Sequence, residues 1–133
     1  MGQQQLLLII LGVIIVGIAV AVGITMFQDN ALSASRDAMT ADLVNLASKA
    51  QQYYRKPASL GGGGNSFAGI TAVTVLVGQA VATNDNATYS VDGTPSATSI
   101  VFVGTGATEG AGGVLPVHMV TVAPSTYTIS QVE

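Results

Sequence analysis

The segment from Leu6 to Phe27 reads LLLIILGVIIVGIAVAVGITMF, and nothing else in the chain restricts its fold so tightly. Thr25 has its only hydrogen-bonding side chain, and no charged side chain precedes Asp29. As an α-helix the segment spans roughly 33 Å, against about 30 Å for the hydrocarbon core of a bilayer. A helix apolar on every side needs lipid or other apolar helices around it. Gly12, Gly17 and Gly23 interrupt the run. Membrane helices tolerate glycine, and small residues let neighbouring helices approach closely.

Three readings of this segment compete. Ala19-Val20-Ala21 fits the cleavage site of a secretory signal, but residues 1–5 contain no basic residue and the apolar run continues past Ala21. A single-pass anchor is the second reading. The third makes the segment the first half of a longer helix, and the residues that follow favour it. Between Asp29 and Lys56 there is neither glycine nor proline. Leu32, Met39, Leu43, Leu46, Ala50 and Tyr53 form an a/d-type stripe, with Arg36 in the one position that breaks it. Asp37, Asp42, Lys49 and Lys56 lie off the stripe, and Arg55 and Lys56 suit the carbonyl end of a helix. Pro57 stops the helix, and Gly61 to Gly64 predict a flexible break. One helix from about Gln4 to Lys56 would be on the order of 80 Å long.

After the glycines the texture becomes β-like. Phe67 to Val77 is rich in β-branched residues and reads as a strand, with a helical turn as the alternative at its start. Thr88 to Val91, Ser99 to Val103, Val117 to Val122 and Thr126 to Ser130 have strand length and pattern. Turn clusters separate them at Asn84-Asp85-Asn86, Asp92 to Pro95, Gly104 to Gly113 and Ala123 to Ser125. The expected class is α+β, a long N-terminal helix, hydrophobic and then amphipathic, packed on a small antiparallel sheet of four or five strands. The sheet alone would have a marginal core, and the helix stripe supplies its cover. The divisions are 1–28, an apolar helix; 29–60, its amphipathic continuation; and 61–133, a small β-rich domain.

Composition narrows the function. Charged residues make up 8% of the chain and hydrophobic ones 49%, which suits a membrane or assembly protein better than a freely soluble enzyme. Without cysteine there is no disulfide framework, thiolate catalysis or covalent haem site. Four Lys and Arg residues make no nucleic-acid footprint. The glycine run lacks the ending of a phosphate-binding loop, and His118 among Val117, Met119 and Val120 reads as a structural strand histidine. No catalytic residue, cofactor or metal is expected. Asn86-Ala87-Thr88 matches the N-glycosylation acceptor in an expected surface turn.

An N-terminal glycine, an uncharged apolar helix continuous with an amphipathic one, a glycine-rich loop and a small C-terminal sheet together resemble a type IV pilin or pilin-like filament subunit. Met1-Gly2 and the helix from Gln3 to Phe27 resemble the family's sequence signature. The resemblance implies a helix that sits in the cytoplasmic membrane and then packs with its copies in the core of a helical filament. It also implies a β-domain on the outside, at the cell surface, and a dedicated assembly machinery as partner. The family usually has basic residues before the glycine, and here only Met1 precedes it; Met1 is therefore expected to stay unprocessed and unmethylated. The family's glutamate near the mature N-terminus is also missing: Gln5 or Leu7 occupies its place, depending on where the count begins. Amide contacts of Gln3, Gln4 and Gln5, with close packing around Leu8, Gly12, Val16, Gly17 and Gly23, are the expected assembly interface. The alternative is a bitopic envelope protein, or a minor pseudopilin of a secretion system, whose β-domain binds a partner.

Overall fold

A computed structural model describes residues 2–78, 82–110 and 112–132. One unbroken helix, α1, runs from Gly2 to Arg55 over 54 residues, as the absence of proline before Pro57 allows. A single 3₁₀ turn (Ala58–Leu60) and a short helix α2 (Thr74–Val77) follow it. Four strands complete the chain: β1 (Ala87–Asp92), β2 (Ile100–Gly106), β3 (Val117–Val122) and β4 (Tyr127–Gln131). They pair antiparallel in the order β1-β2-β3-β4, a meander. The expected α+β class, with the helix packed on an antiparallel sheet, is what the chain adopts.

Three local expectations need correction. The glycine run is not a flexible break but the ordered cap of α1. The N–H groups of Gly63, Gly64 and Asn65 donate to the carbonyls of Tyr53, Lys56 and Tyr54 at 2.8, 3.0 and 2.8 Å. Glycine is needed there for space as well as for backbone freedom. A Cβ at Gly62 would collide with the Lys56 carbonyl, one at Gly63 with that of Ser66, and Gly61 and Gly64 have φ of +78° and +57°. The Phe67–Val77 run forms no strand. It turns back beneath the helix, burying Phe67, Ile70 and Val73, and its only regular element is α2 at its end. β-branched composition marks burial here, not extended backbone. The expected turn at 104–113 also begins later, because β2 continues through Gly104, Thr105 and Gly106.

The core lies between the second half of α1 and the inner face of the sheet. Met39, Leu43, Leu46, Ala47 and Ala50 of the helix are buried against Ile100, Phe102, Val120 and Val122. Leu32 and Tyr53, the ends of the expected stripe, are half-buried. The helix lies tight against the sheet at Gly104. A Cβ there would stand 3.0 Å from the Tyr89 ring and 3.1 Å from Met39 Cγ, so the missing side chain is what lets the two layers meet. The Tyr54 and Phe67 rings, 4.7 Å apart, close the core at the helix end.

Candidate assembly surface

The apolar half of α1 touches nothing in its own chain. Every large hydrophobic residue from Leu6 to Phe27 is at least 50% exposed, and no other side chain approaches Gly12, Gly17 or Gly23. The helix is long and apolar enough to cross a membrane. Its one hydroxyl is satisfied internally: Thr25 Oγ1 donates to the carbonyls of Ala21 and Val22 at 2.9 and 3.0 Å. No side chain between Leu6 and Phe27 therefore breaks the apolar surface.

An unbroken helix places its residues at about 100° each, which sorts the expected interface. Gln5, Leu8, Gly12, Val16 and Gly23 fall within about 40° of one line, and Ala19 falls among them. Gln4 lies at the edge of this face, while Gln3 and Gly17 lie off it, Gly17 by roughly 140°. The three glycines thus do not form one contact strip. Gly12 and Gly23, about three turns apart, share a face, and Gly17 serves another. Continued along α1, the Gly12 line emerges roughly opposite the stripe of Met39, Leu46 and Ala50. The small-residue face is turned away from the sheet.

On the head side, polar contacts fix how α1 seats on the sheet. They flank the Gly104 contact on both sides. Toward β1, Tyr89 Oη donates to Asp42 Oδ2 at 2.5 Å and Asn84 Nδ2 donates to the same oxygen at 2.7 Å. Burial, and then the bond to the Asp42 carboxylate, pushes the Tyr89 hydroxyl pKa upward, so it remains a donor. These side chains form one wall of a cavity of about 150 Å³ that Leu46, Val73 and Val77 also line. Toward β3, His118 is 1% exposed and its Nδ1 lies 3.1 Å from Thr40 Oγ1. Thr40 Oγ1 already donates its one proton to the Arg36 carbonyl at 2.9 Å. The imidazole must therefore donate from Nδ1, which assigns the neutral tautomer. Burial, and then the Arg36 charge, lowers the His118 pKa from its ordinary value. Further along, Gln51 Nε2 donates to the carbonyls of Ala123 and Thr126 at 3.2 and 3.3 Å, holding the β3–β4 turn.

Sequence reasoning missed most of these ties. Asp42 lay off the apolar stripe with nothing in its local pattern to give it a partner, and its bonds reach 47 and 42 residues along the chain. Asn86, the candidate glycosylation site, is half-buried at the edge of β1, and its backbone is held on both sides. Its N–H donates to Asn84 Oδ1 at 3.0 Å, and its carbonyl accepts from the Ala107 N–H at 2.9 Å. Among the described residues no three His, Asp or Glu side chains cluster as metal ligands would. The chain matches no protein-family model, and no curated protein or solved structure is significantly similar to it.

Proposed function

We propose that this chain is the structural subunit of an extracellular, pilus-like filament, as in the type IV pilin family, and that it polymerises through its N-terminal helix. The observation that carries the reading is the division of labour along α1. One half completes the head, and the other projects from it with every large apolar residue exposed. A mere anchor needs no rigid continuity between its membrane span and a core helix. A filament subunit does, because the helix must carry the head to a fixed radius. The direction of the small-residue face supports this. Helices bundled along a fibre axis, with heads outside, would present to the axis the side turned away from the head. Before assembly the same segment would reside in the cytoplasmic membrane, and a dedicated assembly machinery would extract it.

The anchor reading rests on one observation, the match between the apolar span and bilayer thickness. Val16→Asp separates the two. In a filament core the unpaired carboxylate costs several kcal/mol, so fibres in sheared surface material should vanish from electron micrographs while the head stays folded. Normal fibres from this variant would remove the helix from the core. A wild-type chain that yields no fibres, only membrane-embedded protein, would favour the anchor.

A further inference from the structure

We infer that the connection between β2 and β3 is a membrane-facing foot, whose exposed Val114 and Leu115 seat in the headgroup layer of a zwitterionic phospholipid bilayer. The inference rests on the membrane-resident stage of the reading above. It holds equally for a subunit awaiting assembly and for a permanent anchor.

The sheet stands on end beside α1. His118, near the start of β3, lies against Thr40, while the turn after β3 is tied to Gln51. β3 therefore climbs in the same direction as the helix, and the β2–β3 connection lies at the end of the head nearest the apolar half. Hydrogen bonds hold it in place. Gly106 N–H donates to the Pro116 carbonyl at 2.8 Å, and Ala107 N–H donates to that of Asn86 at 2.9 Å. Gly110 N–H donates to the Val114 carbonyl at 2.9 Å, and a Cβ on Gly110 would stand 3.2 Å from Leu32 Cδ2.

The approach to Leu32 sets the height of the foot. Leu32 follows Phe27, where the apolar run ends, by five residues, or about 7.5 Å of helix rise. A helical leucine leans toward the N-terminus, so the connection meets it at or below that level. Each headgroup layer of a bilayer is about 5–8 Å thick. With residues 6–27 filling the hydrocarbon, the connection stands among the headgroups.

Its surface suits that place. Val114 is 57% exposed and Leu115 36%, and Val132, at the same end of β4, is 50% exposed. Glu109 is the only charged residue between Gly106 and Val117, and Asp29 is the helix charge nearest the apolar run. Two acids and no base at this level disfavour an anionic surface, which leaves zwitterionic lipid. The bilayer is also the partner whose position the chain itself fixes, because one rigid helix carries both the span and the foot.

The chain has no cysteine, so single spin labels report one site each. Full-length Val16→Cys, Val114→Cys and Thr98→Cys chains would be labelled and placed in phosphatidylcholine vesicles at high lipid excess. Val16 marks the bilayer interior, and Thr98 marks the opposite end of the sheet. The Val16 label should be shielded from an aqueous nickel chelate, and the Thr98 label should be open to it. The Val114 label should lose most of the accessibility that Thr98 keeps. Adding Leu115→Asp should restore it without changing the Val16 label. A Val114 label as open as that at Thr98, with Val16 shielded, would overturn the inference and leave the membrane reading standing. An open Val16 label would remove the membrane reading and the foot with it. Shielding at Val114 that Leu115→Asp leaves unchanged would assign the cover to the head itself, and shielding that fades as more lipid is added would assign it to a second copy; either result overturns the inference.

Discussion

Residues 6–27 and 32–53 belong to the same helix, yet the chain uses them in opposite ways. The second stretch concentrates its apolar residues in a stripe and buries that stripe in its own head. The first is apolar on every side and buries none of it. A stripe has a direction and can be satisfied by one partner layer, which the sheet supplies. A fully apolar cylinder has no preferred direction and must be surrounded. The head does not reach the first half, whose large apolar residues all stay exposed. Amphipathicity thus divides one element into a part that folds the head and a part that stays outside it, long and apolar enough to cross a membrane.

Truncation should break the comparison most sharply. A chain beginning at Asp29 retains every buried helix residue and should be soluble, with dispersed NMR resonances and native-like circular dichroism. A chain beginning at Gly61 loses Met39, Leu43, Leu46, Ala47 and Ala50 from the core and should unfold or aggregate. A well-folded Gly61 chain would show that the sheet needs no helical cover.

Point substitutions should reproduce the division on a smaller scale. Leu43→Ala removes a fully buried side chain and should lower head stability by about 2–5 kcal/mol in urea unfolding. Ile14→Ala, on the exposed half, should change it by less than about 0.5 kcal/mol. Comparable losses from the two would mean that the halves are energetically coupled. Gly104→Val should fall between them, at about 1–3 kcal/mol, because its methyls have no room between Tyr89 and Met39.

Periodicity made the helix, its two halves, its stripe and the strand positions legible in the sequence, since these are local patterns that burial imposes directly. Val117 to Val122 forms a strand over the expected residues, and the stripe from Met39 to Ala50 faces the sheet. Misreadings arose where local composition serves a distant contact. Gly61 to Gly64 look like a loose linker, but two of them are glycine because the chain folds back against the end of its own helix. Phe67 to Val77 look like a strand because the same side chains suit any buried segment. Of the candidate assembly residues, spacing put Gly12, Gly17 and Gly23 in one group. The angular step of the expected helix sets Gly17 apart from the other two, and the unbroken 54-residue helix keeps that step.

The smallest expected effect probes the seat between the two layers. His118 is buried against Thr40 with Arg36 as the charged group facing it from the helix; its strand neighbours across the inner face are Gly104 on β2 and Gln131 on β4, neither of them titratable. Its folded pKa lies below its unfolded value of about 6.5, so between the two values the unfolded chain binds the extra proton. The stabilisation is therefore complete above about pH 6.5 and is lost as pH falls toward the folded pKa, below which the contribution levels off. Urea unfolding of the Asp29 chain at pH 7.5 and 5.5 should show a drop that His118→Gln reduces. Protonation at Nε2 leaves the Nδ1 bond to Thr40 intact, and the Arg36 charge disfavours the added proton, so Arg36→Leu should also reduce the drop by removing the like charge. If His118→Gln leaves the pH dependence in this window unchanged, another group governs it and the histidine is only a packing residue. If Arg36→Leu alone has no effect, burial without the neighbouring charge accounts for the depressed pKa.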